Sequence, residues 1–162
     1  MGDNMLVFSI VKRRAIKVAA IFVCAVFLIV LCAVIAFERK TAVPDFATAD
    51  EVGRYSTNAA DTKAQVKFLS QFGIKIDKDS KKTDNIKIPE SFNEVYEDYN
   101  KLQIEEGLDL KPFRGEQVSR VVYKLNKKEG YATMLVFRGR VIGGHLSTGE
   151  YGDGYEAFNK RE

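Results

Sequence analysis

The chain has 162 residues, 46% of them hydrophobic and 29% charged, with a formal net charge of +3. That length holds about one domain, and the apolar fraction excludes a disordered or low-complexity chain. The charge excess is confined to the first 37 residues, where Lys12, Arg13, Arg14 and Lys17 stand against Asp3, while residues 38–162 balance at 21 basic and 21 acidic side chains. A folded part with no basic excess argues against a nucleic-acid partner, because phosphate binding needs a basic patch that displaces counterions.

Val18 to Phe37 is a run of twenty residues without a charge. As a helix it would be about 30 Å long, the thickness of a bilayer's hydrocarbon core. The run predicts a transmembrane helix over 18–37 behind a cytoplasmic basic segment, residues 1–17. The flank of Lys12, Arg13, Arg14 and Lys17 outweighs Arg39 and Lys40 and places the N-terminus inside. An uncleaved anchor is expected, since a signal peptide's apolar stretch runs only about 7–15 residues. The expected location is the cell membrane, single-pass, with the lipid bilayer as one partner and the C-terminal domain extracytoplasmic. Cys24 and Cys32 are the two cysteines, and both lie in the apolar run. The remainder therefore carries neither a disulfide framework nor a Cys-ligated zinc site.

Residues 38–57, rich in Ala, Thr and Asp, show no sustained period and read as a linker. The domain is expected over 58–162. Asn58-Ala59-Ala60-Asp61 resembles a capping pattern and starts a helix that runs to Phe72, with Gly73 as its stop. Val66, Phe68, Leu69 and Phe72 supply its buried face. Ile74-Lys75-Ile76 reads as a short strand, Asp77 to Asn85 as a charged loop, and Ile86-Lys87-Ile88 as a second short alternation before Pro89. From about Glu90 to Ile104 runs the clearest helix, whose Phe92, Val95, Tyr96, Tyr99 and Leu102 form one stripe expected in the core. Three strands follow, Gln117 to Leu125, Tyr131 to Phe137 and Arg140 to Leu146, joined by links short enough for an antiparallel meander. One sheet face needs cover, and both helices are available for it. The fold class expected is α+β: an N-terminal transmembrane helix, then a small domain with two helices packed on a three-stranded antiparallel meander.

Three stretches form an ordered pattern. They are Phe68-Leu69-x-x-Phe72-Gly73, the run Ile88-Pro89-x-x-Phe92-x-x-Val95-Tyr96-x-x-Tyr99-Asn100-x-Leu102-Gln103 on to Gly107-x-Asp109-Leu110, and Leu135-Val136-x-x-Gly139-x-Val141-Ile142-Gly143-Gly144. Together they resemble the uncharacterised bacterial family called domain of unknown function 4830, over about Val66 to Phe158. The resemblance implies a small extracytoplasmic domain, commonly behind one membrane segment or a signal peptide. It carries over no catalytic residue, and the chain departs from the pattern at His145, where an acidic residue is expected.

Candidate chemistry is sparse. His145 is the one histidine, a residue able to ligate metal or move a proton, and Ser147 follows on the same strand face. No nucleophile elbow accompanies them. Asp77 and Asp79 open like a calcium loop, but Lys81 takes the next ligand position. Asn100 and Gln103 lie three apart on a helix beside the apolar stripe, so they need partners, and a bridge to the loop carrying Asp109 is expected. Gly143-Gly144 inside a strand marks a bulge or close backbone approach, either under a helix or at a ligand edge. The tail from Thr148, with Gly149, Gly152 and Gly154 around Tyr151 and Tyr155, reads as a flexible aromatic loop.

These readings predict a single-pass membrane-anchored, extracytoplasmic binding or interaction module, with a protein at the envelope as a partner and with no cofactor, metal or catalytic constellation. Its ligand-binding candidates are His145, Gly143, Gly144, Asn100, Gln103 and Tyr151. The alternative is a hydrolase-like envelope enzyme that uses His145 and a nearby carboxylate.

Overall fold

The computed structural model describes residues 20–35, 42–126, 129–149 and 154–159. The chain divides into two compact units, Met1–Ala42 and Val43–Glu162. In the first unit, residues 20–35 are helical (α1) and every one of them is exposed. Among the described residues no helix is long and apolar enough to cross a membrane. This corrects the expected transmembrane helix over 18–37. The described part of the apolar run, residues 20–35, is helical over about 24 Å. Val18, Phe37 and the flank Lys12, Arg13, Arg14 and Lys17 lie outside the described residues.

The second unit is α+β, but its sheets differ from the expected three-stranded meander. A two-stranded antiparallel sheet, β1 (Phe46–Ala49) with β2 (Gly53–Ser56), lies inside the stretch that sequence reads as linker. It forms because Ala49 and Tyr55 have a core to enter, each 2% exposed. The Tyr55 ring meets Phe68 and Phe72 edge-on at 5.9 and 4.8 Å.

The main sheet has four antiparallel strands in the order β3-β4-β5-β6. The fourth strand is β3 (Ile76–Lys87), where sequence predicts two short strands and a charged loop. It pairs with β4 (Gln117–Leu125) from Ile76↔Leu125 to Lys87↔Gln117, with a register shift between Asp77 and Lys82. The extra residues are held by local bonds. Ser80 donates to the Asp77 carbonyl at 2.6 Å and accepts from the Lys124 N–H at 2.8 Å. Charge does not forbid a strand at a sheet's rim, where one edge and most of the side chains of β3 stay in water. β5 (Tyr131–Phe137) and β6 (Arg140–Ser147) complete the sheet. The two-residue turn between them puts Arg138 and Gly139 at φ 47° and 77°, the left-handed pair that a tight hairpin requires. The outer edge of β6 is met at both ends, by Asn58 opposite Arg140 and by Glu156 opposite Leu146.

Strand alternation gives this sheet two buried faces. On one face Val121, Tyr123, Ala132, Met134 and Val141 pack with Phe68 and Leu69 of α2 (Thr62–Gln71). On the other, Val118, Leu135, Phe137 and Ile142 pack with Leu110 and Phe113, and Phe92 and Tyr99 join from the side of α3 (Glu94–Glu105). The helices thus serve different faces, which corrects the picture of two helices on one. α2 starts one turn later than its capping pattern suggests, because Asp61 rather than Asn58 accepts from the Ala64 N–H. α3 is capped by Asn93, which accepts from Tyr96 N–H at 3.0 Å.

Candidate functional site

The expected buried stripe of α3 is not its buried face. Val95 is 70% exposed, and Tyr96, Tyr99 and Leu102 are half-buried. The buried positions are polar: Asn100 and Gln103, then Glu106 at the helix end. They recur every three residues and share one side of the helix. Their burial is stable because each meets a backbone group that needs a partner.

Asn100 accepts from the Leu110 N–H at 2.7 Å and donates to Asp109 at 2.9 Å, the bridge expected from sequence. Gln103 accepts from the Gly144 N–H at 2.6 Å and donates to the Tyr99 carbonyl at 3.2 Å. The two glycines allow this approach. A Cβ on Gly143 would stand 2.9 Å from the Gln103 amide oxygen, and one on Gly144 would stand 2.4 Å from both the Phe158 ring and the Thr133 carbonyl. Glu106 accepts from the Phe158 N–H, its other carboxyl oxygen has no hydrogen-bond partner among the described residues, and its carbonyl accepts from Tyr55 at 2.5 Å. Burial pushes its carboxyl up to about 8, against the pull of the Phe158 and Asn159 N–H groups.

The adjacent row of the helix does something else. Tyr96 and Tyr99 wall a cleft of about 190 Å³ over the sheet. Its floor draws on all four strands: Ile86 from β3, Arg120 from β4, Thr133 and Leu135 from β5, and His145 from β6. Val95 and Tyr155 stand at its exposed rim, Tyr155 being 56% exposed. The tail reaches this place because Glu156 exchanges two backbone bonds with Leu146, at 2.8 and 3.0 Å, and Phe158 is sunk in the core.

At the centre, the Tyr99 hydroxyl lies 2.8 Å from His145 Nδ1. The Tyr155 ring lies 4.2 Å from the imidazole, and Tyr99 meets Tyr155 edge-on at 5.5 Å. Tyr96 and Phe92 extend the aromatic series at 6.2 and 5.2 Å. Burial, then the charge of Arg120, brings the His145 imidazole down to about 4. Burial raises the Tyr99 hydroxyl far above its usual range and raises Tyr96 as well. At neutral pH the cleft therefore holds an uncharged imidazole beside the protonated hydroxyls of Tyr99 and Tyr96. The tautomer in which Tyr99 donates to Nδ1 places the ring proton on Nε2. The one full cation, Arg120, is paired with Asp84 through Nε and Nη2 at 2.9 and 2.6 Å, which leaves the two N–H groups of Nη1 outside that pair.

Of the residues singled out from sequence, His145 lies in the cleft. Gly143 and Gly144 meet Gln103, and Asn100 meets the loop of Asp109 and Leu110, in packing and hydrogen bonds within the protein. Tyr151 lies outside the described residues. The enzyme alternative pairs His145 with a nearby carboxylate, whereas the hydroxyl of Tyr99 is the side-chain group bonded to its ring. Among the described residues no group of three His, Cys, Asp or Glu is placed to hold a metal ion. Sequence reasoning missed Arg120, Thr133 and Glu106, and it placed Tyr155 only in a flexible aromatic loop. Strand parity put Arg120 on one face of β4, but only the pairing of four strands shows which face and beneath which helix.

A family model, described as a domain of unknown function (DUF4830), matches residues 68–146. The match runs from the middle of α2 through β6 and supports the resemblance read from the motifs. It takes in the cleft floor and α3 and stops before Tyr155. No curated protein and no solved structure matches the chain.

Proposed function

We propose that the unit Val43–Glu162 is a binding module whose recognition element is the cleft between α3 and the sheet. The observation that carries this reading is the placement of Tyr96, Tyr99, His145 and Tyr155 around an open volume of about 190 Å³. Ligand sites combine an apolar, aromatic lining with a few convergent polar groups, and that is the composition here. The volume suits a single ring or a branched aliphatic group rather than a large cofactor.

The test is thermal unfolding of the full chain with a panel of single-ring aromatic compounds. A compound that binds only the folded state raises stability by about 2.7 kcal/mol at a hundredfold excess over its Kd. Val95→Trp fills the mouth from an exposed position, so it should abolish the rise without lowering the melting temperature of the free protein. No rise with any compound, or an equal rise in Val95→Trp, overturns the reading.

A further inference from the structure

The cleft has polarity as well as volume, and this says which ligands fit. Resting on the binding-module reading, we infer that its ligand is a small carboxylate with an apolar body, held by Arg120 Nη1 and His145 Nε2 with its body against Tyr96, Ile86 and Leu135.

Three observations lead there. First, two polar groups of the lining, Arg120 and His145, each keep a donor outside their bonds within the protein. Asp84 occupies Nε and Nη2 of Arg120 and leaves Nη1, while Tyr99 occupies His145 Nδ1 and leaves Nε2. A guanidinium N–H and an imidazole N–H together match the two oxygens of a carboxylate.

Second, the cleft opposes positive charge. Arg120 is the charged group that, after burial, keeps the His145 ring unprotonated. Three tyrosine rings would otherwise suit a quaternary ammonium ion, but such a guest would meet the same repulsion from Arg120. Third, most of the remaining lining is apolar or aromatic: Ile86, Leu135 and Val95 with Tyr96 and Tyr155. A bare inorganic anion would leave that surface uncovered, whereas an acid with one ring or a short branched chain covers it.

Asp84 does not defeat this arrangement. It is half-exposed at the sheet's rim and binds the guanidinium from the side that Nε and Nη2 present, so a second carboxylate at Nη1 bridges rather than displaces it.

His145 is the one histidine in the chain, so its ring C–H resonance reports the cleft without any labelling change. The full chain is titrated with 3-phenylpropionate, 3-phenylpropanol and 3-phenylpropyl-trimethylammonium. The acid should move the resonance saturably and bind at least tenfold more tightly than the alcohol, and the ammonium compound should leave the resonance in place. Arg120→Gln should weaken the acid about tenfold and leave the alcohol unchanged. A tripeptide ending in phenylalanine, as free acid and as amide, separates the two sources of such a group. Binding of the peptide acid but not the amide identifies a chain terminus, and exclusion of both alongside binding of phenylpropionate identifies a free acid.

Equal binding of alcohol and acid, or preference for the ammonium compound, overturns the carboxylate while leaving the cleft a binding site. If no compound moves the resonance and none raises the melting temperature, the binding reading falls as well.

Discussion

Two rows of one helix are treated in opposite ways. Asn100, Gln103 and Glu106 are polar and buried, while Tyr96 and Tyr99 on the adjacent row are aromatic and half-open. A hydrophobic-stripe reading inverts them. The difference teaches that burial here follows hydrogen-bond supply rather than side-chain hydropathy. Each buried polar group sits where a turn, a glycine strand or the tail offers a backbone N–H with no ladder partner. The aromatic row faces a sheet surface that four strands leave unfilled, and it keeps that surface partly open.

The sharpest contrast between the rows is in their response to pH. Glu106 is raised to about 8, so the native protein holds a proton that the unfolded chain gives up near 4.5. The Glu106 contribution is therefore greatest below about pH 4.5 and falls as pH rises towards 8, by on the order of 5 kcal/mol. His145 runs the other way. Lowered to about 4, it contributes stability that is present above its unfolded value near 6.5 and is lost as pH falls through 4. The two slopes oppose each other between about pH 4.5 and 6.5, and Glu106 acts alone from 6.5 to 8. Glu106→Gln should abolish the decline from pH 6.5 to 8 in urea unfolding curves. A decline that persists in the variant removes the buried row from the pH response.

Substitution of the glycine that admits Gln103 comes next. Gly144→Ala forces a methyl group against the Phe158 ring and the Thr133 carbonyl. A cost of about 3 kcal/mol is expected, read as a lower urea midpoint, and unchanged stability would mean that the strand and ring shift freely. Asn100→Ala leaves the buried Leu110 N–H without its acceptor and should cost about 2 kcal/mol. The open row should be the more tolerant. Tyr99→Phe removes one hydroxyl bond to His145 and should cost about 1 kcal/mol. A larger loss for Tyr99→Phe than for Asn100→Ala would erase the distinction between the rows.

What sequence could show follows the same physics. β4, β5 and β6 lie where alternation and short links put them, because all three are interior or covered and carry Val, Tyr, Phe and Leu in the expected rhythm. β3 escaped because Asp77 to Asn85 holds almost no apolar residue, and its strand conformation comes from the partner β4 rather than from its own side chains. The β1–β2 hairpin escaped because its inward residues are small or isolated, Ala49 and Tyr55, and their burial depends on α2 some ten residues further on. The Asn100 bridge to Asp109 was legible, since both ends lie within one helix and its following loop. The cleft was not. Its walls come from Ile86, Arg120, Leu135, His145 and Tyr155, which only the tertiary fold assembles.

The two free borders of the main sheet are finished by different means. β6 is closed by short pairings with Asn58 and Glu156. Among the described residues β3 has no such cover, and it displays Lys78, Asp79, Lys81, Lys82, Asp84 and Lys87 to water. An incoming strand from another copy would have to strip solvent from these charges and fit a border distorted by the insertion at Lys78–Lys81. The lysines and aspartates that disguise this segment as a loop thus stop the sheet from growing between molecules, and neutralising them would turn a soluble border into a template for aggregation.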